Sequence, residues 1–316
     1  MGALIQALTI IITFTFRDLK IFTRTFDEVV GPLVDKAVNP GERQHVREAL
    51  RATSLKVGFL LSPYATTVGK PSRPDLFILG GAIARLYDDL VDHSGQPDLD
   101  AGLDVLFSGG PFTPLTEFDA LLHDLYQSLA LRLDLPEDAL PHVTLRALHG
   151  YQKLSREQKN PAIGEDLLWE ITRGKGAAAN LLLHALAHPY MTTREQDVLK
   201  DLGVTLQMLD DHFDRDIDRA AGITTPATRG ESRLPHVRRR LRTTRATLHD
   251  LYTRTGSRPY VGALYAMLAW AYLSRLPHPR RRARRSSART PLLVIARRGN
   301  GVINSVPHES GPPCAD

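Results

Sequence analysis

Apolar residues recur every three to four positions through most of this chain, and the alternation of apolar and polar residues that marks β-strands is nearly absent. This periodicity is typical of amphipathic α-helices, each of which buries one apolar face. Proline and glycine interrupt the pattern, as at Asn39-Pro40-Gly41. The predicted helices are, in chain order, 22–38, 42–61, 75–92, 115–133, 137–157, 164–187, 192–219, 233–254 and 258–276. The sequence therefore predicts an all-α fold built as one helical domain.

The two ends of the chain differ from this helical body, which we place at residues 21–276. The first sixteen residues are apolar, yet they are fewer than the roughly 20 that span a bilayer. We therefore predict that residues 1–20 form an apolar leader or a first buried helix, and that the chain has no stable membrane span. Residues 277–316 are rich in arginine, proline and serine, a composition that predicts a disordered tail.

The formal net charge of +5 is concentrated in this tail rather than in the helical body. Residues 277–316 hold eight arginines and two acidic residues, so the other 276 residues, with 32 basic and 33 acidic side chains, sum to about −1. A body with balanced charge does not predict nucleic-acid binding. Cys314 is the only cysteine, which excludes an intrachain disulfide and is typical of a reducing compartment. We therefore expect a cytoplasmic protein.

Two motifs of the form Asp-Asp-x-x-Asp lie 122 residues apart, each within an otherwise apolar helical pattern. Their members are Asp88, Asp89 and Asp92 in the first, and Asp210, Asp211 and Asp214 in the second. The first and last aspartates of each motif are four residues apart and share a helical face, and Asp218 extends the second line by one more turn. Buried carboxylates are costly unless positive charge neutralises them, and Mg²⁺ is typically held by carboxylates together with substrate phosphates. The pattern predicts two facing metal sites that clamp a diphosphate; the alternative is a solvated acidic face.

A third candidate element is the cationic stretch around Lys175. Arg173-Gly174-Lys175-Gly176 places two cations among residues small enough to admit a ligand or another helix. The stretch is not a P-loop, because the order Gly-x-x-x-x-Gly-Lys-Ser/Thr is missing. We hypothesise that Arg173 and Lys175 bind the oxygens of a departing diphosphate; the alternative is a solvent-facing pair.

In chain order, these motifs resemble those of the trans-isoprenyl diphosphate synthase and class I terpene synthase superfamily. The first cluster is similar to its first aspartate-rich motif, and Lys175 to the lysine of its Lys-Thr segment, although Gly176 replaces the threonine. Gly150-Tyr151-Gln152 is similar to its Gly-Gln region. The stretch 202–214 resembles its Gly-x-x-x-Gln-x-x-Asp-Asp-x-x-Asp motif, through Gly203, Gln207, Asp210, Asp211 and Asp214. The resemblance covers residues 75–222, about half of the chain.

The resemblance implies an antiparallel helical bundle of the isoprenoid synthase type with a central active-site cavity, assembled as a homodimer. It also implies three Mg²⁺ ions, with Mn²⁺ as the alternative, that bridge both clusters to an allylic isoprenyl diphosphate. The implied metal ligands are Asp88, Asp89, Asp92, Asp210, Asp214 and Asp218. The implied diphosphate-binding residues are Arg173, Lys175, Gln207, Gln152 and Arg43. The implied catalytic residues are Asp88, Asp89, Asp92, Asp210, Asp211, Asp214 and Lys175.

Departures from the superfamily pattern favour a terpene synthase, which ionises one allylic diphosphate and cyclises or quenches the carbocation. Elongating members bind isopentenyl diphosphate as a second substrate through additional basic residues. Here Glu42 stands where those members have lysine, and no lysine or arginine follows Asp92 until Arg132. A second diphosphate with unpaired charge in a closed site would be costly. The four-residue spacing that ends at Asp218 also resembles the metal-binding triad of terpene cyclases.

Three other functions remain open from the sequence. A trans-prenyl diphosphate synthase would condense an allylic diphosphate with isopentenyl diphosphate, and a non-catalytic subunit would support such an enzyme. A helical metal-dependent phosphohydrolase is the third, although the histidines next to the clusters lack a second histidine at helical spacing. Aromatic residues are candidates for the wall that stabilises a carbocation by cation–π attraction, or are plain core: Phe59, Trp169, Phe213 and Tyr265.

Overall fold

A computed structural model describes residues 18–94, 97–253 and 255–275, and it confirms the all-α prediction. Over these ranges the backbone forms α-helices, one short 3₁₀ helix and loops, with no β-strand. The predictions for residues 1–17 and 276–316, the leader and the tail, lie outside the described residues. Among the helices that are described, none is both long and apolar enough to cross a membrane.

The helices follow one another with short connections. They are α1 (Leu19–Val29), α2 (Gly31–Ala37), α3 (Arg43–Thr67), α4 (Pro74–Ser94), α5 (Pro97–Phe107), α6 (Glu117–Leu133), α7 (Leu140–Leu154), the 3₁₀ helix (Ser155–Lys159), α8 (Glu165–Ala185), α9 (Thr193–Ala220), α10 (Leu234–Leu251) and α11 (Arg258–Arg275). Helices α6 and α9 begin with reciprocal capping boxes at Thr116 and Thr192, which satisfy backbone donors of their first turns.

The predicted helix boundaries were wrong at two notable places. The helix predicted at 22–38 is two helices, because the chain breaks at Val30 and restarts with Pro32 in the first turn of α2. The helix predicted to end near Pro63 continues to Thr67. Proline removes only one intrahelical donor, and the next turn is held by the burial of Tyr64 and Ala65.

Helix α5 was missing from the predicted elements. Its apolar residues Leu99, Leu103 and Leu106 lie at helical spacing and are buried, and Pro97 stands at its first position. The stretch is short and carries three aspartates, which have low helix propensity. Burial of the leucine face supplies the stability that local propensity lacks.

The centre of the fold is a layer of three helices in which α8 packs between α7 and α9. Glycines let these backbones approach closely. A Cβ at Gly176 would lie 2.6 Å from the carbonyl oxygen of Gly203, and a Cβ at Gly174 would lie 2.2 Å from the ring of Tyr151. Helix α4 packs against α3 and α6 on the other side of the core. This arrangement turns α4, α7, α8 and α9 towards a common cavity.

Candidate functional site

A cavity of about 380 Å³ lies between α4, α7, α8 and α9, and both aspartate motifs reach it. Asp88 and Asp89 line it from α4, and Asp210 lines it from α9. The polar lining is completed by Arg85, Gln152, Lys175 and Gln207; most of the remaining wall is aliphatic. These residues come from four helices that are separate in the sequence, and the structure brings them to one cavity.

The first motif is held by neighbours on α4 and α7. The side-chain amide of Gln152 donates to Oδ1 of Asp88 at 3.3 Å. The guanidinium of Arg85 lies 3.0 Å from Oδ2 of Asp89, one helical turn away, and the Asp89 side chain is only 7% exposed. Asp92 lies in the same helix, but its side chain falls outside the described residues.

Arg85 lines the site but was not among the residues predicted from the sequence. It follows a long apolar run on α4, and it lines the cavity beside the motif that it neutralises. A charged side chain inside an apolar helical run is rarely tolerated unless it is paired or functional. Its position four residues before Asp89 was therefore a usable signal.

The residues of the second motif face in two directions: Asp210 lines the cavity, and Asp211 points into the protein interior. There the amide of Gln207 donates to Oδ1 of Asp211 at 2.8 Å. Burial raises the pKa of the Asp211 carboxyl to about 7 against the opposing effect of this hydrogen bond, and the Asp210 carboxylate raises it further. Gln207, which also lines the cavity, thus connects the buried and the cavity-facing parts of the motif.

The carboxylates predicted to share one face of α9 do influence one another. Burial raises the pKa of Asp218 to about 6, and repulsion from Asp214 and Asp210 adds to the shift. Lys175, which reaches across from α8, lowers the pKa of the same carboxyl. A line of repelling carboxylates beside a cation is an arrangement that a divalent metal ion would relieve.

The donor set of the cavity fits Mg²⁺ chemically, because it consists of hard carboxylate and amide oxygens. Oδ2 of Asp211 and Oε1 of Gln152 are buried and accept no hydrogen bond from any described residue. Within the described ranges, no three acidic, histidine or cysteine side chains are gathered tightly enough to hold an ion together. Substrate phosphate oxygens, which Mg²⁺ commonly binds, would complete the set of ligands around each ion.

Two of the expected diphosphate-binding residues lie elsewhere. Arg173 is exposed, and its guanidinium lies 5.3 Å from the centroid of the Trp169 ring in a cation–π contact. Arg43 stands at the start of α3, where its Nε donates to the carbonyl of Val38 at 2.7 Å. Neither residue lines the cavity that holds both motifs. Lys175 is therefore the cation of the α8 stretch that faces the aspartates.

A second, mostly apolar cavity of about 360 Å³ adjoins the first. Ala179, Leu183, Gln207 and Asp210 line both cavities, so one set of side chains forms the wall between them. The lining unique to the second cavity comes largely from α9 and α11: Leu206, Leu209, Phe213, Leu264, Met267, Leu268 and Ala271.

The four candidate aromatic wall residues have different surroundings. Phe213 lines the second cavity, and Tyr265 lines a narrow crevice between α9, α10 and α11. The guanidinium of Arg173 lies over the Trp169 ring, and Phe59 lines neither of the two cavities described above. Of the four, Phe213 is therefore the one that shares a cavity lining with Asp210. The sequence matches no protein-family model and no curated protein.

Proposed function

We propose that the protein is a Mg²⁺-dependent class I terpene synthase that ionises an allylic isoprenyl diphosphate and cyclises or quenches the resulting carbocation. The observation that carries the proposal is the placement of Asp88 and Asp89 from the first motif, Asp210 from the second, and Lys175 around one cavity that adjoins an apolar one. Such a pair of compartments matches an amphiphilic substrate with a diphosphate head and a hydrocarbon tail.

In this proposal, the diphosphate head of the substrate binds to the polar lining of the first cavity. Asp88, Asp89, Asp210 and the neighbouring carboxylates of α9 would hold Mg²⁺, which supplies charge neutralisation to the diphosphate oxygens when it is bound. Lys175 adds a fixed positive charge on the same side. The Gln152 amide orients Asp88, and the Gln207 amide orients Asp211. Lys175, together with the Mg²⁺ that the carboxylates would hold, would stabilise the negative charge that develops on the leaving group as the C–O bond breaks.

Heterolysis of that bond leaves the electron pair on the diphosphate and the positive charge on the allylic carbon. The aliphatic walls exclude water from the cation until it loses a proton or is captured. Phe213 lines the apolar cavity, and its ring would attract the cation. Loss of a proton gives a hydrocarbon and diphosphate, and capture by water gives an alcohol and diphosphate.

The cations that line the cavity favour one diphosphate rather than two. They are Lys175 and Arg85, and Arg85 is already engaged with Asp89. A prenyl elongase would have to neutralise the diphosphate of isopentenyl diphosphate as well. This balance of charge supports the single-substrate reaction over chain elongation.

Product analysis tests the proposal. The purified chain is incubated with Mg²⁺ and ten-, fifteen- or twenty-carbon allylic diphosphates, with and without isopentenyl diphosphate, and products are identified by mass spectrometry. Hydrocarbons or alcohols formed without isopentenyl diphosphate are the expected result. Longer diphosphates formed only in its presence would identify an elongase instead. Inorganic phosphate released from unrelated phosphoesters would identify a phosphohydrolase.

A further inference from the structure

The last helix of the described chain has two different surfaces. Leu264, Met267, Leu268 and Ala271 follow one line of α11 and form part of the apolar cavity wall. Near the end of the helix, three large apolar or aromatic side chains lie off that line in solvent. They are Trp270, Tyr272 and Leu273, which are 68%, 56% and 61% exposed. Trp270 and Leu273 are three residues apart and share one face of α11, and Tyr272 flanks Leu273. Large exposed apolar side chains concentrated at one helix end mark interaction sites.

The neighbouring helix α10 carries an unusual density of positive charge. Arg238, Arg239, Arg242 and Arg245 are all exposed, and Asp250 is the only acidic residue of the helix. Arg240, in contrast, reaches back to pair with Asp201 on α9. Within the described part of the chain, none of the first three arginines forms a side-chain hydrogen bond or an ion pair. Their charge is therefore available to an external partner.

Packing places the arginines of α10 beside the aromatic end of α11. Leu248 of α10 and Val261 of α11 line the same crevice near the short loop that joins the helices. At the other end, Leu268 of α11 packs in the cluster that contains Val237 of α10. The two helices therefore run antiparallel, and the first turns of α10 lie beside the last turns of α11.

Arg238 and Arg242 lie on the face of α10 that carries Arg245, which borders α11. Arg245 lines the crevice together with Tyr265 of α11. Arg242 and Arg238 precede Arg245 by three and seven residues and share its helical face. That face thus extends from the crevice towards the exposed end of α11. We call the set Arg238, Arg239, Arg242, Trp270, Tyr272 and Leu273 the basic–aromatic surface.

We propose that the basic–aromatic surface docks the protein peripherally on an anionic lipid bilayer. Tryptophan and tyrosine favour the membrane–water interface, where their rings meet acyl chains and their polar groups meet water. Arginines beside them attract anionic headgroups. The sequence continues the charge beyond α11, because residues 280–289 include six arginines and no acidic residue. The docking does not depend on the reaction proposed above.

The combination of side chains favours a bilayer over a nucleic acid. Nucleic acids are bound by arginines, which pair with the phosphates, and by aromatic side chains, which stack on the bases. Neither interaction accounts for an exposed aliphatic side chain such as Leu273. A bilayer accommodates all three exposed residues of α11 in its interfacial region. Docking through α11 would also bring the apolar cavity, whose wall this helix forms, close to the membrane surface.

Vesicle flotation with the full chain tests the proposal, using phosphatidylcholine vesicles with and without phosphatidylglycerol. We expect binding that requires the anionic lipid and weakens as salt is added. Arg238→Gln, Arg239→Gln and Arg242→Gln combined should weaken binding by at least ten-fold, since each arginine contributes roughly five-fold at an anionic surface. Trp270→Ser, Tyr272→Ser and Leu273→Ser combined should weaken it by a similar factor. Equal binding to neutral vesicles, or none to either, would overturn the proposal.

A matched control separates this surface from net charge. Lys20→Gln, Arg24→Gln and Lys36→Gln remove the same charge from exposed positions on α1 and α2, which pack against other helices. The control should bind as the unaltered chain does; an equal loss would show a general charge effect and contradict a defined surface. Binding of duplex nucleic acid without vesicle binding would assign the surface to nucleic acid instead.

Tryptophan fluorescence reports on the aromatic contact directly. The chain has two tryptophans, so Trp169→Phe leaves Trp270 as the only one. Emission from Trp270 should shift to shorter wavelength on anionic vesicles and be quenched by lipids with brominated acyl chains. Vesicle binding with no change in emission would contradict docking through the end of α11.

Discussion

Gly203 on α9 packs directly on the backbone of Gly176 on α8: a Cβ at position 203 would lie 2.1 Å from the Gly176 carbonyl oxygen. This contact sets the separation of two cavity walls. Lys175 is next to one glycine, and Gln207 lies one turn beyond the other. The geometry of the candidate site therefore depends on the close approach of two glycines.

We expect Gly203→Ala to force α8 and α9 apart, because the obstructing atom belongs to the backbone and has no rotamer to change. The free energy of unfolding should fall by about 1–3 kcal/mol, as overpacking typically costs. Gly150→Ala is the matched control, since a Cβ there meets nothing within 4 Å. Replacing that helical glycine should be neutral or slightly stabilising. Urea unfolding of both variants measures the difference, and equal stability would show that the helices can separate freely.

The buried Asp211 predicts that stability falls as pH rises. Its pKa is about 7 in the folded protein against 3.8 for an ordinary aspartate, so the unfolded chain loses its proton first. The stabilisation is fully present below pH 3.8 and is lost as pH rises through 7. With EDTA present, Asp211→Asn should raise the free energy of unfolding at pH 8 by up to about 4 kcal/mol, and change little at pH 4. A gain that is the same at both pH values would contradict the shifted pKa.

His184 predicts the opposite dependence. The ring is fully buried on α8, donates from Nδ1 to the Asn180 carbonyl and accepts the Tyr260 hydroxyl at Nε2 over 2.5 Å, which suits the neutral form. Burial lowers its pKa from 6.5 to about 4, so its contribution is present above pH 6.5 and lost as pH falls through 4.

The acid-dependent loss due to His184 should approach about 3 kcal/mol. His184→Gln should lower stability at neutral pH but flatten its decline between pH 6.5 and 4. His236→Gln, at an exposed position, serves as the control and should keep the slope of the unaltered chain. Urea titrations at several pH values measure these slopes, and a steep decline that persists in His184→Gln would assign it to other groups.

The sequence predicted helices well wherever the helical periodicity was long. It could not predict contacts between residues that are far apart in the chain. Asp88 and Asp210 were correctly placed on helices, and both reach one cavity. Spacing alone could not show that the Arg173 side chain packs on Trp169. Whether that side chain contacts solvent, the Trp169 ring or the cavity depends on how α8 packs. The engagement of Asp89 by Arg85 was recoverable from their four-residue separation. The second cavity was not recoverable, since it forms only when α11 packs beside α9.

Ala179 lines both cavities and should control the length of substrate that fits. We expect Ala179→Leu to narrow the passage, and so to reduce turnover of a twenty-carbon allylic diphosphate much more than that of a ten-carbon one. Ala177→Leu adds the same volume two residues away on α8, outside the lining of both cavities, and is the matched control. The ratio of kcat/KM values for the two substrates measures the effect. An unchanged ratio in Ala179→Leu would show that the tail does not pass this residue.

The central claim is that aspartates from two distant motifs act on one diphosphate. The most direct measurement is the rate of diphosphate release from an allylic diphosphate at saturating Mg²⁺ by Asp88→Asn, Asp210→Asn and Asp216→Asn variants with unchanged helical circular dichroism. Asp216 is exposed on the same helix as Asp210 but does not lie on the face that carries Asp210, Asp214 and Asp218. We predict that the first two variants each lose at least about 100-fold in kcat, and that Asp216→Asn stays close to the unaltered chain. Full activity in either Asp88→Asn or Asp210→Asn would contradict a site shared by the two motifs.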